Sequence, residues 1–255
     1  MYISRHLEKE LIEASKGYPV IMVTGARQVG KTTMLKKLAS KDRKFVSLDD
    51  LSARLMAQNQ PKLFLEQYKP PLIIDEIQYA PGLLTYIKIL IDESNENGQY
   101  WITGSQIYPM MKGVLESLAG RVRLLRLSGL SQSELVGREN EVFPSTAKDL
   151  LSRQTGESDR QGILHSILTG GYPRLLTQET VTIDGFYSSY LQTYLALDVR
   201  EITNVMDTGK FMQFVSLLAT RTAQELNLAS LSRALGIDGT TAGRWLDVLE
   251  TSGVI

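Results

Sequence analysis

The sequence has 255 residues, of which 43% are hydrophobic and 22% are charged, with no cysteine and two histidines. This length suits one α/β domain with one or two smaller modules, and the composition is not that of a disordered chain. The lack of cysteine excludes thiolate chemistry and cysteine zinc sites, and His6 and His165 are too far apart in sequence for a zinc motif.

No apolar run reaches the roughly 18 residues that a transmembrane helix needs, and charges interrupt the N-terminus where a signal peptide has an apolar core. We therefore expect a cytoplasmic protein that has no membrane partner. The net charge of zero is unevenly divided, because residues 1–130 hold 18 Lys and Arg against 13 Asp and Glu, and residues 131–255 hold 10 against 15. A basic first half suits a nucleotide or nucleic acid, although such a bias is often only a solvated surface.

The first half of the chain alternates between helix and strand patterns. A short amphipathic helix is predicted first, from the spacing of Ile3, Leu7, Leu11 and Ile12. Five predicted strands follow in the order YPVIMVT, RKFVSLDD, PPLIIDE, QYWITGS and VRLLRLS. The helix between the third and fourth strands has an apolar stripe of Leu84, Ile87, Leu90 and Ile91. Strands alternating with helices predict a parallel sheet with helices on both faces.

Beyond the fifth strand the composition becomes polar from Ser131 to Arg160, which indicates a boundary or an insertion. Helix patterns then cover residues 183–202 and 209–222, and residues 228–253 read as a helix, a glycine-containing turn and a second helix. The predicted core of that last module consists of Leu231, Leu235, Trp245, Leu246 and Leu249.

The stretch GARQVGKTT lies between the first strand and a helix predicted from Thr32 to Ala39, and it matches the P-loop pattern GxxxxGK[ST]. Its glycines permit a backbone whose N–H groups point into one concavity, and the helix N-terminus adds to the attraction for phosphate. In this pattern Lys31 reaches the β- and γ-phosphates and Thr32 is a ligand of Mg²⁺. A chance match in an ordinary turn would not require the flanking strand and helix. The predicted binding residues are Gly25, Ala26, Arg27, Gln28, Val29, Gly30, Lys31, Thr32 and Thr33.

The third strand ends in two carboxylates, Asp75 and Glu76. Ligands of open α/β sheets bind at the carboxyl ends of the strands. We expect Asp75 to hold Mg²⁺ and Glu76 to orient and deprotonate the water that attacks the γ-phosphate. Without the P-loop, the same pair would read equally well as a solvated turn.

Six motifs occur in an order that resembles the prokaryotic AAA+-like ATPases, in which a P-loop domain is followed by a winged helix and a C-terminal domain of unknown function. They are GARQVGKTT, IIDEIQYAPGLL, WITGSQ, SLAGRV, GGYP and YLQTYLALDV, and the resemblance extends over nearly the whole chain. The resemblance implies a three-layer α/β P-loop NTPase with a five-stranded parallel sheet of order 5-1-4-3-2, and ATP as the nucleotide.

The same resemblance implies roles for residues whose sequence signals are weaker. Thr103 or Ser105 would hydrogen-bond the γ-phosphate or the attacking water, although Thr-Gly-Ser is also an ordinary strand-ending turn. Arg121 would be an arginine finger that reaches the ATP of a neighbouring subunit in a homo-oligomer, and its alternative is a solvated strand-edge arginine. Arg174, in GGYPR, is a weaker candidate for a sensor-2 arginine because relatives often have an acidic residue there.

The implied domains are an ATPase core (residues 1–135), a polar linker or insertion (136–160), a lid-like helical segment (161–205) and a winged-helix-like module (206–255). The sequence stops where the wing would begin, so we expect a truncated chain whose winged-helix-like module is incomplete at its C-terminus.

Thr240, Thr241 and Arg244 would lie on the recognition helix of a DNA-binding module. Residues 207–255 hold four Lys and Arg against five Asp and Glu, whereas phosphate neutralisation normally needs several cations. Nucleic acid is therefore a weakly supported partner, and an unidentified protein partner remains open.

The sequence favours an Mg²⁺-dependent ATPase over its alternatives. A nucleotide-dependent switch with slow hydrolysis and an ATP-regulated nucleic-acid-binding protein stay open. A small-molecule kinase is more distant, because the Asp75-Glu76 pair suits water activation better than a second substrate pocket.

Overall fold

The computed structural model describes residues 1–105, 118–140, 146–152, 160–195 and 208–253. These residues form two compact units, one ending at Ile183 and the other starting at Asp184. Each unit has its own hydrophobic core.

The first unit alternates strands with helices. Its elements are α1 (Leu7–Gly17), β1 (Val20–Gly25), α2 (Lys31–Leu38), β2 (Lys44–Ser47), α3 (Leu51–Asn59), α4 (Pro61–Gln67), β3 (Leu72–Asp75), a 3₁₀ turn (Ile77–Tyr79), α5 (Leu83–Ser94), β4 (Tyr100–Ser105), β5 (Val122–Arg126), α6 (Gln132–Leu135), α7 (Ala147–Ser152), α8 (Arg160–Thr169) and α9 (Pro173–Thr177).

The five strands form one parallel sheet in the order β2-β3-β4-β1-β5. This order confirms the predicted one, including the insertion of β4 between β1 and β3. Because the strands are parallel, the P-loop after β1 and the carboxylates at the end of β3 lie at the same edge of the sheet, on either side of the end of β4.

Both faces of the sheet are buried, which explains why its central strands are continuous apolar runs. On one face α1 and α2 contribute Leu11, Met34 and Leu35, which pack with Ile21 and Trp101. The alternate side chains of the same strands are buried on the opposite face, among them Met22, Ile74 and Ile102.

Two details of the helix predictions were wrong. The first helix begins at Leu7, so Ile3 precedes it, and Leu11 is buried while Ile12 is 38% exposed. In α5 the side chains of Leu84, Ile87 and Ile91 are buried as predicted. Leu90 is 37% exposed because it lines an open groove of about 790 Å³ between α4 and α5.

The second unit is helical. Its elements are α10 (Ile183–Tyr190), which begins one residue before the unit boundary and continues into a π-helical turn (Leu191–Leu195), then α11 (Thr208–Ala219), α12 (Leu228–Leu235) and α13 (Gly239–Thr251). The end of the helix predicted over residues 183–202 lies outside the described residues.

The core of the second unit surrounds Trp245, whose ring meets those of Phe211 and Phe214 edge-on at centroid distances of 5.5 Å. Leu231 and Leu249 are fully buried, as predicted. Gly236, at φ 62°, ends α12, and the Asp238 carboxylate accepts a hydrogen bond from Thr241 N at 2.8 Å to start α13. Helix, turn and helix are therefore present, and no hairpin wing occurs among residues 208–253.

Candidate functional site

The loop from Gly25 to Lys31 has a backbone that requires glycine at both motif positions. Gly25 has φ 147°, and a Cβ there would lie 2.0 Å from the Leu127 carbonyl oxygen. Gly30 has φ 97° and is the N-cap of α2. The first turn of α2 contains no acidic side chain, and its N-cap residue, Gly30, has no side chain that could cap the N–H groups. The helix therefore starts with amides that are oriented to receive an anion.

The Lys31 ammonium lies inside this loop. The residue is 6% exposed, and Nζ donates to the carbonyl oxygens of Gly25 at 2.8 Å and Ala26 at 2.9 Å. These bonds place the positive charge at the phosphate-binding loop, where an anion would be an alternative acceptor.

Asp75 connects the P-loop helix with two neighbouring strands. Its Oδ1 accepts hydrogen bonds from the hydroxyls of Thr32 and Thr103, both at 2.6 Å, and Oδ2 accepts one from Ser47 Oγ at 3.3 Å. The residue is only 6% exposed, so the hydroxyls replace much of the water that a carboxylate would otherwise bind. The structure thus brings Thr32, Asp75 and Thr103 together as one cluster.

Ser47 was missing from the sequence predictions. It is the last residue of β2 and pairs in register with Asp75 of β3. The sequence indicates only that Ser47 is a polar residue near the end of the RKFVSL strand. The pairing register of the strands is needed to place it beside Asp75.

Glu76 leaves the strand in a left-handed conformation, with φ 59° and ψ 53°. Its N–H donates to Thr103 Oγ1 at 3.0 Å, and its carboxylate accepts a hydrogen bond from the Gln78 amide. A left-handed Glu costs on the order of 1 kcal/mol, which the surrounding bonds must offset. Sequence reasoning also missed Gln78, although it follows the Asp-Glu pair by two residues.

Thr103 is fully buried and uses both sides of its hydroxyl, donating to Asp75 and accepting from the Glu76 N–H. It thereby holds the carboxylate of Asp75 and the backbone of Glu76. Ser105 is the last residue of β4 and pairs in register with Gly25, which places its backbone beside the start of the P-loop.

Arg121 lies away from this cluster in its own chain. Arg121 precedes β5, and Val122 pairs with Val20, the first residue of β1, so Arg121 is roughly 16 Å of strand from its own P-loop. Its guanidinium pairs with the Asp92 carboxylate, with Nε at 2.5 Å and Nη2 at 3.1 Å. Arg174 is exposed and donates from Nε to Gln178 Oε1 at 3.3 Å.

The predicted recognition residues lie in the first two turns of α13. Thr240 and Arg244 are exposed, and the Thr241 hydroxyl donates to Asp238 Oδ2 at 2.6 Å.

Thr32 and Asp75 fit a magnesium ion, because a hydroxyl and a carboxylate are the hard oxygen donors that Mg²⁺ prefers. The described ranges contain no group of three or more His, Asp or Glu side chains able to hold a metal by themselves. Mg²⁺ at this place would therefore take its remaining ligands from water and phosphate. Within the same ranges, no helix is both long and apolar enough to cross a bilayer.

Two protein families match this sequence. Residues 17–136 match a family described as an AAA domain, and residues 160–255 match a domain of unknown function, DUF8612. Uncharacterized proteins of Mycobacterium tuberculosis and Mycobacterium bovis are each 30% identical over 241 residues. The matches cover 93% of this chain and 49% of each relative, so the chain spans about half the length of the curated relatives it matches.

The fold is also found in solved structures. The Walker-type ATPase PABY2304 of Pyrococcus abyssi aligns with 96% of this chain and 96% of its own, with a TM-score of 0.51 and 14% sequence identity. At that identity the likeness concerns the fold alone.

Proposed function

We propose that this chain, whose residues 17–136 match an AAA domain family, binds ATP with Mg²⁺ and hydrolyses it to ADP and phosphate. The observation that carries the proposal is the cluster at the edge of the sheet, where Asp75 accepts hydrogen bonds from Thr32 of the P-loop helix and Thr103 of β4. A phosphate-binding loop and a pair of carboxylates are thereby held in one site.

Binding would begin at the P-loop. The amides at the start of α2 and the Lys31 ammonium attract the β- and γ-phosphates. Lys31 donates to two neutral carbonyls in this structure, and charged phosphate oxygens are stronger acceptors. We therefore expect the Lys31 ammonium to exchange the two carbonyl oxygens for phosphate oxygens when the nucleotide binds.

Thr32 and Asp75 would hold Mg²⁺, whose charge neutralises the negative charge that develops on the phosphate oxygens. Thr32 and Asp75 hydrogen-bond each other directly in this structure, so their oxygens are close enough to serve the same ion.

Glu76 is the proposed general base. Its carboxylate accepts a proton from water, the water oxygen forms a bond to the γ-phosphorus, and the bond from that phosphorus to the β,γ-bridging oxygen breaks with its electron pair leaving on ADP. A positioned base of this kind contributes about 10² to 10⁴ in rate. Thr103 holds the Glu76 backbone and Gln78 holds its carboxylate, so both orient the base.

Arg121 supports a proposed homo-oligomer. Because its own P-loop is a strand length away, it would act only on the ATP of a neighbouring subunit, after releasing Asp92. The process driven by ATP would involve a protein partner. Nucleic acid is the weaker proposal, since the helix-turn-helix module has more acidic than basic residues.

The first test is phosphate release with ATP and Mg²⁺, comparing the wild type with Lys31→Ala. Removing the ammonium should abolish detectable turnover and weaken ATP binding, and chelating Mg²⁺ should stop the wild type. Lys16→Ala is a matched control, because the Lys16 side chain is 67% exposed and its ammonium forms a surface ion pair with Glu13. Turnover at the wild-type rate in Lys31→Ala would refute the proposal.

A further inference from the structure

Arg5 is a buried arginine at the back of the P-loop. Its side chain is 4% exposed, and all three guanidinium nitrogens donate hydrogen bonds. Nη1 reaches the Val29 carbonyl oxygen at 2.9 Å, Nη2 reaches the Ser128 carbonyl oxygen at 2.6 Å, and Nε reaches Glu134 Oε1 at 3.1 Å. One side chain therefore joins the segment before α1, the P-loop and the loop between β5 and α6.

Glu134 is as fully bonded as its partner. It is 5% exposed, and besides Arg5 it accepts hydrogen bonds from the N–H groups of His6 and Ser131, both at 2.8 Å. Burial alone would raise the pKa of Glu134, but the bonds from Ser131 and His6 and the charge of Arg5 outweigh it and lower that pKa. The pair is thus ionised at neutral pH and has no net charge.

A buried ion pair is a poor means of stabilising a fold, because desolvation cancels much of its attraction. It does hold the joined groups in one geometry. Removing one member leaves the other charge and its backbone partners without compensation.

The hydrogen bond from Arg5 to the Val29 carbonyl oxygen fixes the orientation of the Val29–Gly30 peptide. In a planar trans peptide the carbonyl and the following N–H point in opposite directions. Arg5 donates a hydrogen bond to the Val29 carbonyl oxygen, so the N–H of the same peptide, that of Gly30, points away from Arg5. Gly30 has φ 97° and is the N-cap of the helix that begins with Lys31. The Val29–Gly30 peptide, which Arg5 binds, therefore leads directly into the first turn of α2, where phosphate would bind.

We propose that Arg5, oriented by Glu134, is a positioning residue that fixes the Val29–Gly30 peptide and thereby sets the affinity of the P-loop for the nucleotide phosphates. This inference rests on the proposed function of the loop. Because the intact ion pair has no net charge, it contributes to phosphate binding through the geometry of the loop rather than through its own charge.

The test measures ADP binding by calorimetry, thermal unfolding, and the KM and kcat for ATP in the full chain. The variants are Arg5→Ala, Arg5→Lys and Glu134→Gln. The matched control is Arg123→Ala, which removes an ion pair at the surface. The side chains of Arg123 and Glu10 are 47% and 48% exposed. Unfolding curves identify the temperature range in which each variant is folded, and binding is measured there.

Arg5→Ala should raise the ADP dissociation constant and the KM by about tenfold or more, as loss of a buried charge-assisted hydrogen bond implies. The kcat at saturating ATP should change by less than about threefold, because Arg5 touches no reacting atom. Arg5→Lys should recover part of the affinity, since an ammonium still donates to a carbonyl. Glu134→Gln should weaken binding less than Arg5→Ala does, and Arg123→Ala should leave it unchanged.

A folded Arg5→Ala protein that binds ADP within twofold of the wild type would overturn the inference and leave a purely structural role. If Arg5→Ala does not fold, Arg5→Gln, which also removes the charge, takes its place with the same expected loss of affinity and the same twofold limit. A wild type that fails to bind ADP contradicts the proposed function itself, and with it this inference, so the two failures are distinguished by the first titration.

Discussion

At the scale of single residues, different polar groups hold the carboxylates of Asp75 and Glu76. Asp75 and Glu76 are adjacent in sequence, yet one faces the hydroxyls of Thr32 and Thr103 and the other faces Gln78. The left-handed conformation at Glu76 separates them. Adjacent carboxylates can therefore take different tasks, one at the metal and one at the water.

Thr103→Val is the substitution that tests this arrangement. Valine has nearly the same shape but removes the donor to Asp75 and the acceptor of the Glu76 N–H in a fully buried place. We expect the free energy of unfolding to fall by about 1–3 kcal/mol and phosphate release to fall at least tenfold. Equilibrium denaturation and a phosphate assay measure the two effects.

The matched control is Thr103→Ser, which keeps the hydroxyl and should keep most of the activity. A Thr103→Val protein as active as the wild type would remove Thr103 from the positioning of the site.

At the scale of elements, the sequence was informative where one pattern dominates a whole segment. The buried runs of β1 and β3 were recognised because both faces of a parallel strand are apolar. The strand order came from the family resemblance, since periodicity alone does not tell which strands are neighbours. Ser47 and Arg5 were missed for the same reason, because their partners depend on strand register and on contacts between distant segments.

The junction of β1 and the P-loop has little freedom to change. A Cβ on Gly25 would lie 2.0 Å from the Leu127 carbonyl oxygen. Leu127 is itself held in place, because its N–H donates to the Thr24 carbonyl oxygen at 2.8 Å. Gly25→Ala should lower the free energy of unfolding by about 2 kcal/mol or more through overpacking and backbone strain, as measured by urea denaturation.

Gly17→Ala is the control for this substitution, because a Cβ at that helical position has no atom within 4 Å. It should be neutral or slightly stabilising. A Gly25→Ala protein within about 0.5 kcal/mol of the wild type would mean that this strand end is less tightly packed than described.

At the scale of the whole molecule, the open question is whether one chain contains a complete site. Arg121 pairs with Asp92 and lies far from its own P-loop, which is what a residue acting between subunits requires. The turnover per subunit should therefore rise with protein concentration, and Arg121→Ala should lower it by about 10³ at concentrations that saturate assembly.

Sedimentation with ATP and Mg²⁺ gives the assembly state in the same samples. Arg123→Ala, which removes another exposed arginine pair, should behave like the wild type. A turnover per subunit that is independent of concentration and unaffected by Arg121→Ala would return Arg121 to a surface role.

The central claim is that the site hydrolyses ATP through Glu76, and Glu76→Gln tests it most directly because the amide keeps the shape of the side chain and loses the base. Single-turnover phosphate release and ATP binding are measured on the same protein. Phosphate release should fall by about 10² or more while the ATP dissociation constant stays within a few fold of the wild type. Equal rates of phosphate release in the two proteins would contradict the assignment of the base.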